Sequence, residues 1–188
     1  LIRKLEDFDK YVVAAGFRNV KVNDINGFFN VIRKKVKGAN VQFFDARLIA
    51  GWKHLYFAAL NALTAFKNKT NISNSVTVET LLYASAQRQI NKAVELLGIK
   101  TESSQVAVLV IAETKQKTVT ILETVSELMS GKRDDSVIEL TSEKVNVIKR
   151  LFGISNLELE TKLEKKGFEK EALLNLVIEH VALLATQR

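Results

Sequence analysis

The chain has 188 residues, 47% hydrophobic and 26% charged, with no cysteine and no proline; this is the balance of a folded globular protein, and it excludes disulfides, thiolate metal sites and cysteine nucleophiles. No uncharged apolar run reaches the roughly eighteen residues of a membrane span, and Leu1–Asp7 lacks the apolar stretch of a signal peptide, so a soluble cytoplasmic protein is expected, with a few residues ahead of Leu1. The net charge is +7, and residues 1–100 carry 16 Lys/Arg against 7 Asp/Glu while residues 101–188 carry 12 against 14, an asymmetry that favours contact with a polyanion.

Residues 10 to 23 alternate and end in turn residues, which predicts one or two short strands. Ile25 to Val36 spaces Phe28, Phe29, Ile32 and Val36 as a helix does. Val41–Arg47 reads as a strand. Gly51 to Lys67 then places Leu55, Ala58, Ala59, Ala62, Leu63 and Phe66 on one helical stripe, with Trp52 and His54 at its entrance. Val76–Ala86 and Gln87–Leu97 predict one bent or two consecutive helices, with Ser75 as N-cap, Glu79 in the first turn and Gly98 as the stop. Gln105–Ala112 is β-branched and apolar on both faces, the signature of a central strand covered on both sides. A helix near 115 to 129, a short strand at Val137–Leu140 and helices near 142 to 151, 156 to 165 and 168 to 186 complete the chain. The fold class is therefore α+β, a helix-rich single domain over 1–188 with one small four- or five-stranded sheet.

Catalytic signatures are missing. His54 and His180 are the only imidazoles, and neither falls in a paired-ligand spacing or beside a nucleophile elbow. Asp134 and Asp135 read as a solvated turn. No catalytic residue, metal site or cofactor is expected.

Two surfaces carry more information. On the helix after Gln87, spacings of three and four residues put Ser85, Arg88, Gln89 and Lys92 on one side, while Ile90, Ala93, Val94 and Leu97 face elsewhere and can pack. Cations beside amide donors can hold phosphates and read the edges of single-stranded bases, although a solvated helix face has the same composition. In the last helix the apolar positions are too many for one stripe. Leu173, Leu176, Val177, Val181 and Leu184 can cover the chain's own core, leaving Leu174, Ile178, Ala182 and Ala185 as a second row that is either buried in the monomer or covered by a partner.

The segment Val78-Glu79-Thr80-Leu81-Leu82-Tyr83-Ala84-Ser85-Ala86-Gln87-Arg88-Gln89-Ile90, followed by Ala93, resembles the signature of the small regulatory subunit family of the KEOPS complex, which makes threonylcarbamoyladenosine in tRNA. Ordered matches accompany it at Ala46–Leu55, Ile72–Ser75 and Asp134–Leu140, so that the resemblance is clearest over about 40 to 186. It implies a non-enzymatic tRNA-modification subunit that binds the complex's small atypical kinase/ATPase and the single-stranded CCA 3′ end of tRNA, with no membrane partner. Lys53, His54, Ser75, Glu79, Ser85, Arg88, Gln89 and Lys92 would meet the tRNA, and Leu174, Ile178, Ala182 and Ala185 the kinase. Ala86 stands where the family often has glycine, a change of little consequence inside a helix. A protein-only structural adaptor without nucleic-acid binding is the alternative.

Overall fold

The computed structural model describes residues 2–163 and 167–186. The chain falls into two units, Leu1–Arg47 with Gly98–Ile138 and Leu48–Leu97 with Glu139–Arg188. The charge asymmetry along the sequence is not a difference between these units, because the first holds 15 Lys/Arg against 11 Asp/Glu and the second 13 against 10.

The first unit is built on its two longest apolar extended runs. Strand β2 (Lys10–Arg18) and strand β4 (Gln105–Ala112) pair antiparallel from Tyr11 opposite Ala112 to Arg18 opposite Gln105. Residues 12–17 of β2 and 106–112 of β4 are buried, so the expectation of a central strand covered on both faces is met. Strand β3 (Asn40–Asp45) flanks β4, while β1 (Ile2–Leu5) and the two-residue β5 (Lys132–Arg133) share the outer edge of β2. Setting β1 aside, the order β5-β2-β4-β3, with helix α1 (Ile25–Lys35) joining β2 to β3 and the later helix Lys115–Leu128 joining β4 to β5, is the split βαβ arrangement. Both helices cover one face: Ile32, Val36, Ile121, Leu122 and Val125 join Val13, Ala15, Phe17, Phe43, Val108 and Val110 in one core. Asp24 caps α1 by accepting from the Gly27 N–H at 2.9 Å.

The expected strand at Val137–Leu140 is instead a 3-10 turn, Asp135–Ile138. Carboxylates decide it. Asp134 Oδ1 accepts the Ser136 N–H at 3.0 Å and Asp135 Oδ1 accepts the Gly16 N–H at 3.0 Å, which curls the backbone before Val137 and Ile138 can extend. The turn lies so close to β2 that a Cβ on Gly16 would stand 2.4 Å from the Asp134 carbonyl oxygen, and for this reason only glycine fits there.

The second unit is helical: α2 (Trp52–Lys67), α3 (Val76–Ser85), α4 (Ile90–Leu97), then, after the first unit's α5 (Lys115–Leu128), α6 (Ser142–Phe152), α7 (Asn156–Lys162) and α8 (Glu169–Leu183). Ile148, Phe152, Ile154, Leu159, Ala172, Leu173, Leu176 and Val177 form its core with Ala50. The expected helix of 156 to 165 ends at Lys162, its last residues falling outside those described, and that of 168 to 186 finishes as a 3-10 turn, Leu184–Thr186. The chain is thus helix-rich α+β with one five-stranded antiparallel sheet.

Candidate functional site

All twelve residues singled out in the sequence lie in the helical unit. The start of α2 and the end of α3 are tied together there by His54. Its Nδ1 accepts the Ala50 N–H at 3.2 Å, which places the proton on Nε2, and Nε2 donates to the Ala84 carbonyl at 2.8 Å. The ring is fully buried and meets Phe152 edge-on, and Phe152 in turn meets His180 of α8. Burial holds the imidazole down to about 4 from its ordinary 6.5, against the opposing pull of the Ala84 bond. His54 is therefore a neutral brace between two helix ends and not a surface contact.

That placement has a pH consequence. The unfolded chain takes up a proton near 6.5, whereas the folded chain resists until about 4, so this contribution to stability is complete above 6.5 and lost as the pH falls between the two values. Going from pH 7 to pH 5 is expected to cost about 2 kcal/mol, or roughly 4–8 °C in Tm. Thermal melts of the wild type and His54→Gln across this range check it, since the variant should start lower at pH 7 and lose this part of the slope.

Helix α3 opens on Ser75, whose Oγ accepts from the Val78 N–H and bonds the Thr77 hydroxyl at 2.7 Å. Glu79, 0% exposed, reaches back from the first turn: its carboxylate accepts the Ile72 N–H at 3.0 Å and the Ser73 N–H at 2.7 Å, holding the polar turn before the helix. Ser85, also buried, donates to the Leu82 carbonyl at 3.1 Å. The polar atoms of His54, Glu79 and Ser85 are thus engaged inside the fold, so a direct role for them on tRNA is corrected to a structural one. Ser75 and Glu79 belong to the amino-terminal half of α3, about 15 Å and about 9 Å of helix from Ser85.

The helix does not run on through Gln87. Ala86 takes a left-handed conformation, φ 51° and ψ 36°, and the Gln87 N–H bonds the Leu82 carbonyl at 3.0 Å in a Schellman-type stop. Ala86 is accordingly not a helix-interior residue, and a left-handed alanine costs about 1–2 kcal/mol that glycine avoids. Arg88 and Gln89 stand in the turn before α4, exposed, with Lys92 exposed on α4 and Lys53 exposed on α2. Of the four apolar residues expected to pack, Ala93 and Leu97 are buried, but Ile90 and Val94 are 43% and 48% exposed. The break after Ser85 rotates α4 away from the continuous register and leaves these two side chains, which spacing alone would pack inside, exposed on one face of α4 just after Arg88 and Gln89. Only the positive φ of Ala86 distinguishes them, and alanine, a strong helix former, carries no sign of it. Burial, reinforced by Glu79 and opposed by Arg88, pushes the Tyr83 phenol up.

On α8 the division expected from spacing holds. Leu173, Leu176, Val177, Val181 and Leu184 are all buried, Leu174 and Ile178 are half-buried, and Ala182 and Ala185 are exposed. Leu174 leans on the core. Lys162 of α7 pairs with Glu179 at 2.5 Å, fastening the two helices. Among the described residues no group of His, Asp and Glu is placed to hold a metal ion, and no helix is long and apolar enough to cross a membrane.

Two comparisons with known proteins cover most of the chain. The family described as kinase binding protein CGI-121 matches residues 17–185. The regulatory protein Cgi121 of Methanocaldococcus jannaschii is 30% identical over 165 residues, covering 88% of this chain and 98% of that protein.

Proposed function

Because the chain belongs to the CGI-121 family of kinase-binding proteins, we propose that it is a non-catalytic cytoplasmic subunit of the KEOPS complex. In this reading it binds the complex's small atypical kinase/ATPase through α8, holds the single-stranded CCA 3′ end of tRNA, and supports threonylcarbamoyladenosine formation carried out by its partners. One observation carries the RNA half: Lys53, Arg88, Gln89 and Lys92 are exposed around a helix junction braced by the His54–Ala84 bond. Cations would meet the phosphates, the Gln89 amide would read a base edge, and the exposed Ile90 would offer an apolar surface to an unstacked base. The kinase half rests on the family description and on the second apolar row of α8, Leu174, Ile178, Ala182 and Ala185.

The test is a gel-shift series with intact tRNA and with tRNA lacking its CCA end. Intact tRNA should bind, with log K falling linearly against log salt, and the truncated tRNA should bind far more weakly. Absence of binding to intact tRNA even at low salt would leave a protein-only adaptor.

A further inference from the structure

We propose that the first unit carries a second RNA-contacting surface, formed by Arg33, Lys34, Lys35 and Lys37 at the end of α1, that grips the phosphate backbone of tRNA independently of the CCA end. It rests on the tRNA reading above. Four cations fall within five residues, and no acid occurs between Asp24 and Asp45. All four are exposed. None closes an ion pair among the described residues, and while the same holds for Arg3, Lys21, Lys100, Lys115 and Lys132 of this unit, those are not gathered into an acid-free run of four. The surface is therefore a concentration of charge not neutralised by the fold itself.

Helix geometry extends the surface. Spacings of three and four residues align Asn26, Asn30, Arg33 and Lys34 on the side of α1 opposite Ile25, Phe28, Phe29 and Ile32, Lys37 follows in the turn after the helix, and all five are exposed. Amide donors thus run in line with the cations, a combination suited to successive phosphate oxygens. The helix dipole favours cations in the last turn, yet Lys37 lies beyond the helix and the asparagines lie before that turn.

RNA fits better than an anionic membrane. A membrane-surface helix buries an apolar face among the lipids, but here Phe28 and Phe29 are packed against Phe43, with ring centroids 5.1 and 5.7 Å away. Val31, 44% exposed, is the one large apolar side chain that α1 presents outward.

The experiment uses the full chain and the variant Arg33→Gln/Lys34→Gln/Lys35→Gln/Lys37→Gln, with Lys34→Gln/Lys37→Gln as a milder companion. Fluorescence anisotropy measures binding to intact tRNA and to a short single-stranded RNA ending in CCA from about 50 to 200 mM salt. On intact tRNA the log K against log salt slope should become shallower by about 2–4 for the fourfold variant and about 1–2 for the double. Low-salt affinity should fall at least about 10-fold, and short-RNA binding should not change. An unchanged slope on intact tRNA overturns the proposal while leaving CCA recognition standing, as does equal weakening on both RNAs. Wild-type binding to phosphatidylserine vesicles that only the variant loses, with tRNA binding unaltered, overturns it in favour of a membrane. Failure of the wild type to bind either RNA overturns both this surface and the tRNA reading.

Discussion

Ile178→Glu is expected to abolish kinase binding, by at least about 100-fold, while the chain stays folded and its tRNA binding is preserved. The reason is positional. Five residues of α8 already fill the unit's own core, and Ile178 is only half-buried in the row beside them. In the free chain a glutamate there can turn its carboxylate to water. At the centre of a docked partner the same group would be desolvated without a counter-charge, and nothing in the immediate row, Leu174, Ala182 and Ala185, can pair with it. A pull-down with the kinase, run beside circular dichroism and a thermal melt, separates the outcomes. Cooperative unfolding at a normal temperature with no kinase captured supports the assignment; collapse of the isolated chain places Ile178 in the monomer's core and the kinase surface elsewhere.

Arg88→Glu should remove most tRNA binding with little change in Tm, and the neutral Arg88→Gln should lower the salt slope by about one. Its contrast is Glu79→Ala, within the same signature. Removing a fully buried carboxylate leaves the Ile72 and Ser73 N–H groups without their acceptor, at a cost of about 3 kcal/mol or roughly 6–12 °C in Tm. Any loss of tRNA binding in Glu79→Ala should follow that destabilisation and recover on cooling, whereas the loss in Arg88→Glu should persist at temperatures where the fold is intact. Unchanged binding in both Arg88 variants would remove the turn between α3 and α4 from the tRNA surface. If Glu79→Ala melts like the wild type, the carboxylate does not hold the turn.

Local chemistry determined a good part of this outcome. The helical spacing of Leu55, Ala58, Ala59, Ala62 and Leu63, the β-branched run of β4, the Ser75 cap and the core stripe of α8 are properties of short segments, readable because burial has a period and a cap has a residue type. The signature around Glu79–Ile90 likewise pointed to the family, which matches residues 17–185. Tertiary structure alone decided how that signature is used. Whether a polar side chain faces water or folds back depends on partners that spacing does not name: His54 is claimed by Ala84, thirty residues on, and Glu79 by the turn before its own helix. The left-handed Ala86, after which Ile90 and Val94 stand exposed, carries no mark in its residue type, and the Asp134–Asp135 turn that replaces a strand is held against Gly16, more than a hundred residues away. Spacing along a sequence specifies which residues can share a face, and only the packed chain specifies which faces remain exposed.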